Sequence, residues 1–83
     1  MKYLVVAIRR PDFRAEVGAA HQAFLSELRG QGKIEQSGGF TDKTGGAYVV
    51  LADDLETAKA MVARDPLVLE GVSDLTVYEW DAK

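Results

Sequence analysis

Residues Tyr3-Leu4-Val5-Val6-Ala7-Ile8 form a continuous apolar run rich in strand-forming side chains. Such a run is the pattern of a central strand buried on both faces. Side chains alternate along a strand, so Tyr3, Val5 and Ala7 line one face while Leu4, Val6 and Ile8 line the other. Whatever follows must cover both. The run stops at Arg9-Arg10-Pro11-Asp12 with no small-residue cleavage site, so it reads as a first strand rather than a signal peptide. No stretch approaches the roughly 18 apolar residues that would span a membrane. A soluble cytoplasmic protein is expected.

The period then changes. From about Phe13 to Arg29, Val17, His21, Phe24 and Leu28 fall within an arc of roughly 60° at about 100° per residue. Arg14, Glu16, Glu27 and Arg29 lie mostly off that stripe, which makes the segment an amphipathic helix stopped by Gly30 and Gly32. Ile34 to Thr41 is a weaker strand, and its glycines predict a bulge, an edge or a ligand's close approach. Asp42-Lys43-Thr44-Gly45 is a turn, and Gly46 to Leu51 a second central strand. Asp53 or Asp54 caps a second helix, with Asp53 and Glu56 spaced like a capping box. Its inward stripe is Leu55, Ala58, Val62 and Asp65. Pro66 ends the helix or restarts a short turn closing at Gly71, and Leu75 to Trp80 is the last strand.

The order βαββαβ is the ferredoxin-like α+β arrangement, a four-stranded antiparallel sheet with two helices on one face. The 83 residues amount to one domain, 1–83. Two helices cover one sheet face only, yet the first strand is apolar on both, and Thr76, Tyr78 and Trp80 extend the uncovered side. An apolar face of that size marks an interaction site. A homodimer stacking sheet on sheet, a dimeric α+β barrel-like assembly, is therefore expected.

Composition narrows the chemistry. Ten Lys+Arg against 13 Asp+Glu give a net charge of -3, which disfavours nucleic acid as a partner. The rival RNA-recognition module shares the βαββαβ order, but Gly46-Ala47-Tyr48-Val49-Val50-Leu51 holds a single aromatic where that module has several. With no cysteine and one histidine, thiolate chemistry and a multi-histidine metal cage within one chain are excluded. No metal and no cofactor is expected.

His21 is the most informative residue, because a histidine inside an inward stripe is either a satisfied core side chain or a general acid/base. Asp65 is its natural companion. Asp65-Pro66 also reads as a helix N-cap followed by Pro at the first helical position, so the spacing alone leaves cap and dyad open. Ser37-Gly38-Gly39 offers a hydroxyl and approachable backbone to a ligand, or is simply a bulged edge strand. Arg9, Arg10 and Arg14 cluster after the first strand, where they attract an anion or are merely solvated.

Taken in order, these pieces resemble the YCII-related domain family. The resemblance rests on His21 with Phe24-Leu25-Ser26-Glu27-Leu28, then Gly32-Lys33-Ile34, Ser37-Gly38 and Gly45-Gly46 before an apolar strand. It continues through Leu55-Glu56-Thr57-Ala58, Asp65-Pro66 with Gly71, and Tyr78-Glu79-Trp80. It implies a ferredoxin-like dimer in which His21 and Asp65 form a catalytic dyad. It further implies lyase, dehydrochlorinase or isomerase chemistry on a small aromatic or lactone compound. Ser37, Gly38, Gly39 and Arg9 are the expected substrate contacts. The alternative is a non-catalytic ligand-binding or interaction module in which the pair is structural. A water-accessible cavity touching His21 favours the enzyme, whereas a histidine sealed by Phe24 and Met61 favours the module.

Overall fold

A computed structural model describes residues 1–83. Its elements are β1 (Lys2–Arg9), α1 (Val17–Gly30), β2 (Ile34–Gly39), β3 (Gly45–Leu51), α2 (Leu55–Val62), α3 (Pro66–Leu69) and β4 (Ser73–Trp80). The strands form one antiparallel sheet in the order β2-β3-β1-β4. The fold is ferredoxin-like, with β1 and β3 central as their apolar runs require. No helix is long and apolar enough to cross a membrane.

One sheet face carries the core. Tyr3 sits opposite Val50, and Val5 opposite Tyr48 and Val77. Tyr3, Val5, Tyr48 and Val50 pack with Leu25 of α1 and with Ala58 and Val62 of α2. A smaller cluster of Ala7, Val17, Leu67 and Val72 closes the other end, where α3 meets α1. The opposite face carries Leu4, Val6 and Ile8, flanked by Val49, Leu51, Tyr78 and Trp80, with no helix over it.

Some boundaries differ from the sequence reading: β2 stops at Gly39 rather than Thr41, and β4 starts at Ser73 rather than Leu75. α1 begins at Val17 rather than Phe13, because turn bonds from Phe13 to Arg10 and from Val17 to Arg14 precede it. Of the two aspartates the sequence offers as the cap of α2, Asp54 serves: its carboxylate accepts the Thr57 N–H at 2.7 Å, which holds it below the usual carboxylate range. α2 itself stops at Val62, so Asp65 lies beyond it rather than on its inward stripe.

β2 is an edge strand, as its glycines suggested, but they are not the bulge. Ser37, Gly38 and Gly39 pair in continuous register with Tyr48, Ala47 and Gly46, and the register shift falls between Ile34 and Gln36. The glycines serve close approach instead. A Cβ on Gly46 would stand 2.5 Å from the Gly38 carbonyl oxygen, and one on Gly45 would fall onto the Ala7 carbonyl. Bare backbone at this end of the sheet makes room above it.

Candidate active site

The residue before a proline is pushed out of the helical region into extended backbone. Asp65 obeys, with φ -63° and ψ 129°, and this places its carboxylate at the N-cap of α3. Oδ1 accepts the Leu67 N–H at 2.9 Å. The same oxygen lies 2.9 Å from His21 Nδ1, and Oδ2 accepts the Tyr48 hydroxyl at 2.8 Å. Cap and His21 partner are thus one arrangement. The carboxylate is wholly buried, and its three donors replace the water it has lost.

Tyr48 is the member that the sequence reading passed over. It lies on the helix-facing side of β3, 3% exposed, with its ring centroid 5.9 Å from that of His21. Burial first, then the Asp65 charge and the hydrogen bond to it, raise its pKa far above the ordinary 10.0. The phenol therefore keeps its proton and donates it to Asp65. A signal did exist: a tyrosine on the inward register of a central strand must find a partner for its hydroxyl.

With Nδ1 held by Asp65, the other ring nitrogen of His21 is left for chemistry. Nε2 has no protein partner, and the Tyr3 hydroxyl is the one buried side-chain polar atom without a hydrogen bond. Nε2 is therefore open to solvent. His21 borders a cavity of about 250 Å³ between the first half of α1 and the bare end of the sheet. Ala7, Gly39 and Gly46 make a flat floor; Gly18 and His21 form the roof. Phe24 and Met61 do not seal this space. They line a separate groove of about 510 Å³ between α1 and α2, which contains neither His21 nor Asp65.

Ser37, Gly38, Gly39 and Arg9 all border the smaller cavity. The Ser37 hydroxyl accepts a hydrogen bond from Arg29 Nη2 at 2.7 Å, which fixes it at the rim. The three clustered arginines part company. Arg10 pairs with Asp74 at 2.8 Å and Arg14 with Glu70 at 3.2 Å, while Arg9 lies over the Phe13 ring, 4.3 Å from its centroid. Only Arg9 reaches the cavity.

The model of the YCII-related domain matches residues 1–81. The chain belongs to that family. It is 43% identical to the uncharacterized protein YjpA of Bacillus subtilis (strain 168) over 81 residues, spanning 98% of this chain and 95% of YjpA. Among solved structures it is similar to 5-chloro-2-hydroxyhydroquinone dehydrochlorinase (TftG) from Burkholderia phenoliruptrix AC1100, in complex with 2,5-dihydroxybenzoquinone. That similarity has a TM-score of 0.83 at 26% identity and covers 100% of this chain and 96% of TftG. A YCII-related sheet and helices thus occur in a dehydrochlorinase that takes a small-molecule ligand.

Proposed function

We propose that this YCII-related protein is an acid/base enzyme acting on a small planar organic molecule, with His21 and Asp65 as its dyad. The observation that carries the reading is a His21 that borders the cavity, with Nε2 free of protein partners and Nδ1 hydrogen-bonded to a buried carboxylate that has two further donors. His21 Nε2 takes a proton from the substrate, and Asp65 fixes the tautomer and steadies the imidazolium that forms. The electron pair of the broken bond becomes a new double bond. A leaving group such as chloride then departs with its own pair, or the proton returns at another atom of the same molecule. These are elimination and isomerisation, and neither changes the substrate's net oxidation state through an external acceptor. The cavity is smaller than the roughly 300–1,000 Å³ of sites for drug-sized ligands, which suits a single ring. The 2,5-dihydroxybenzoquinone bound by TftG is a single ring of that kind. Ser37, Gly38, Gly39 and Arg9 contact the substrate at the floor and rim.

The test is chloride release from 5-chloro-2-hydroxyhydroquinone and related chlorinated or lactone rings, by wild type and His21→Ala. Loss of a turnover by about 100-fold or more is expected. A turnover unchanged by His21→Ala would remove His21 from the chemistry. One observation favours the binding-module alternative: Asp65 also caps α3, so the pair has structural work whether or not a proton moves. In that case His21→Ala would lower stability and alter ligand affinity while no substrate turned over.

We also propose that a second copy of this chain covers the open sheet face. Its size and apolar character are those of a surface that water does not suit.

A further inference from the structure

Resting on that proposed site, we infer that its substrate is a planar organic anion, a ring bearing a carboxylate-like oxyanion, and that Arg9 receives the charge. Arg9 is the one side chain with a fixed charge lining the cavity, and no Asp or Glu lines it. The nearest carboxylate, Asp65, is buried behind His21 with both oxygens in use. In a chain of net charge -3 the slot is a local reversal of sign.

The guanidinium is also positioned for a ligand rather than for the protein. Arg10 and Arg14 each spend their guanidinium N–H groups on a carboxylate and on a backbone carbonyl near Gly71 and Glu70. Arg9 makes no side-chain hydrogen bond and no ion pair. Its flat face rests on Phe13 at 4.3 Å, which leaves the in-plane fork of N–H donors free. A fork of that kind matches the two oxygens of a carboxylate or a delocalised enolate. His21 and Arg9 border the same small cavity, so one ring can present its acidic proton to Nε2 and its oxyanion to Arg9. The negative charge that develops on proton removal then forms beside a fixed cation.

The probes are benzoate and benzamide, equal in shape and different in charge. Binding is read from the ring resonances of His21, the only histidine in the chain. Benzoate should bind wild type at least about 10-fold more tightly than benzamide, and Arg9→Gln should remove that preference. Arg9→Lys should restore only part of it, because an ammonium lacks the fork. Arg9 is exposed, so these variants should fold; thermal melts check this. Equal binding of the two probes, or a benzoate affinity unmoved by Arg9→Gln, overturns the inference. If that binding is still abolished by filling the slot with Gly39→Val, the site survives and only its charge selectivity falls. Failure of both probes to touch His21 overturns the anion site, whereas the proposed chemistry stands or falls on the His21→Ala turnover.

Discussion

Asp65 concentrates three donors on one buried carboxylate, and the cost of removing it follows from what each donor would lose. Asp65→Ala leaves the buried Tyr48 hydroxyl without its acceptor, frees His21 Nδ1 from its partner and strips α3 of its cap. A buried donor left unpaired costs about 1–3 kcal/mol, so a total near 3 kcal/mol is expected even if a water recovers part of the loss. Urea unfolding measures it, and a change below about 1 kcal/mol would mean that the three donors are not held as described. The same variant has a second readout. Nitrogen chemical shifts of His21 should report a single Nδ1–H tautomer in wild type and a mixture in Asp65→Ala. Tyr48→Phe should be milder, because it removes one donor and leaves Asp65 with two. It separates the tyrosine's support of the carboxylate from the carboxylate's hold on the histidine.

At the scale of elements, what could be read from the sequence is what depends on periodicity. β1, β3 and α1 show in their apolar spacing, and their order gives the ferredoxin-like topology without any knowledge of contacts. What could not be read depends on register and on chain direction. The bulge lies between Ile34 and Gln36 rather than at the glycines, because it is set by which N–H meets which carbonyl across β3. There Glu35 is caught by Lys2 Nζ at 2.8 Å, a pairing of residues far apart in sequence. Extending the period of α2 by three residues puts Asp65 on that helix, whereas Pro66 ends the regular geometry and makes Asp65 the cap of α3, the other reading that Asp65-Pro66 offers. Tyr48 was legible only as an apolar strand position, since its partner comes from another element. The β2–β3 pairing also supplies an element-scale prediction. Gly39 has no left-handed backbone, and an added Cβ would meet only the Gly45 carbonyl oxygen, at 3.8 Å. Gly39 shares its face with Ser37 and Tyr48 and sits on the slot floor. Gly39→Val should therefore keep or slightly raise the melting temperature, since valine suits a strand better than glycine. It should abolish ligand binding by filling the slot. A variant that melts early, or binds as before, would show that Gly39 is needed by the fold or lies outside the site.

For the whole molecule the deciding quantity is how little of it is buried. Fifteen of 83 residues are buried, nearly all on the helix side of the sheet, although a radius of gyration of 12.0 Å is already that of a compact chain of this length. Tighter folding of one copy has nothing left to cover the other face. There Ile8, Tyr78 and Trp80 are 44%, 54% and 44% exposed, with Leu4, Val6 and Leu51 between them. Four strands about 4.8 Å apart and about seven residues long present a flat patch of roughly 20 by 24 Å. With the relief of its side chains, that approaches the roughly 800 Å² per partner of a standard interface. A second copy brings the same patch, and two aligned sheets pack about 10 Å apart with interdigitated side chains. The slot lies on the opposite face and stays accessible. Val6 is the residue to change, since it sits mid-patch opposite Ala47 and Thr76 and its side chain points away from the core. Wild type should sediment as a dimer at micromolar concentration, with a melting temperature that rises with protein concentration. Val6→Lys should sediment as a monomer, because two lysines would face each other across an apolar interface at a cost neither could relieve. A monomeric wild type would leave the open face without a second copy and end the barrel reading. A dimer undisturbed by Val6→Lys would move the interface elsewhere, the groove between α1 and α2 being the next surface to probe.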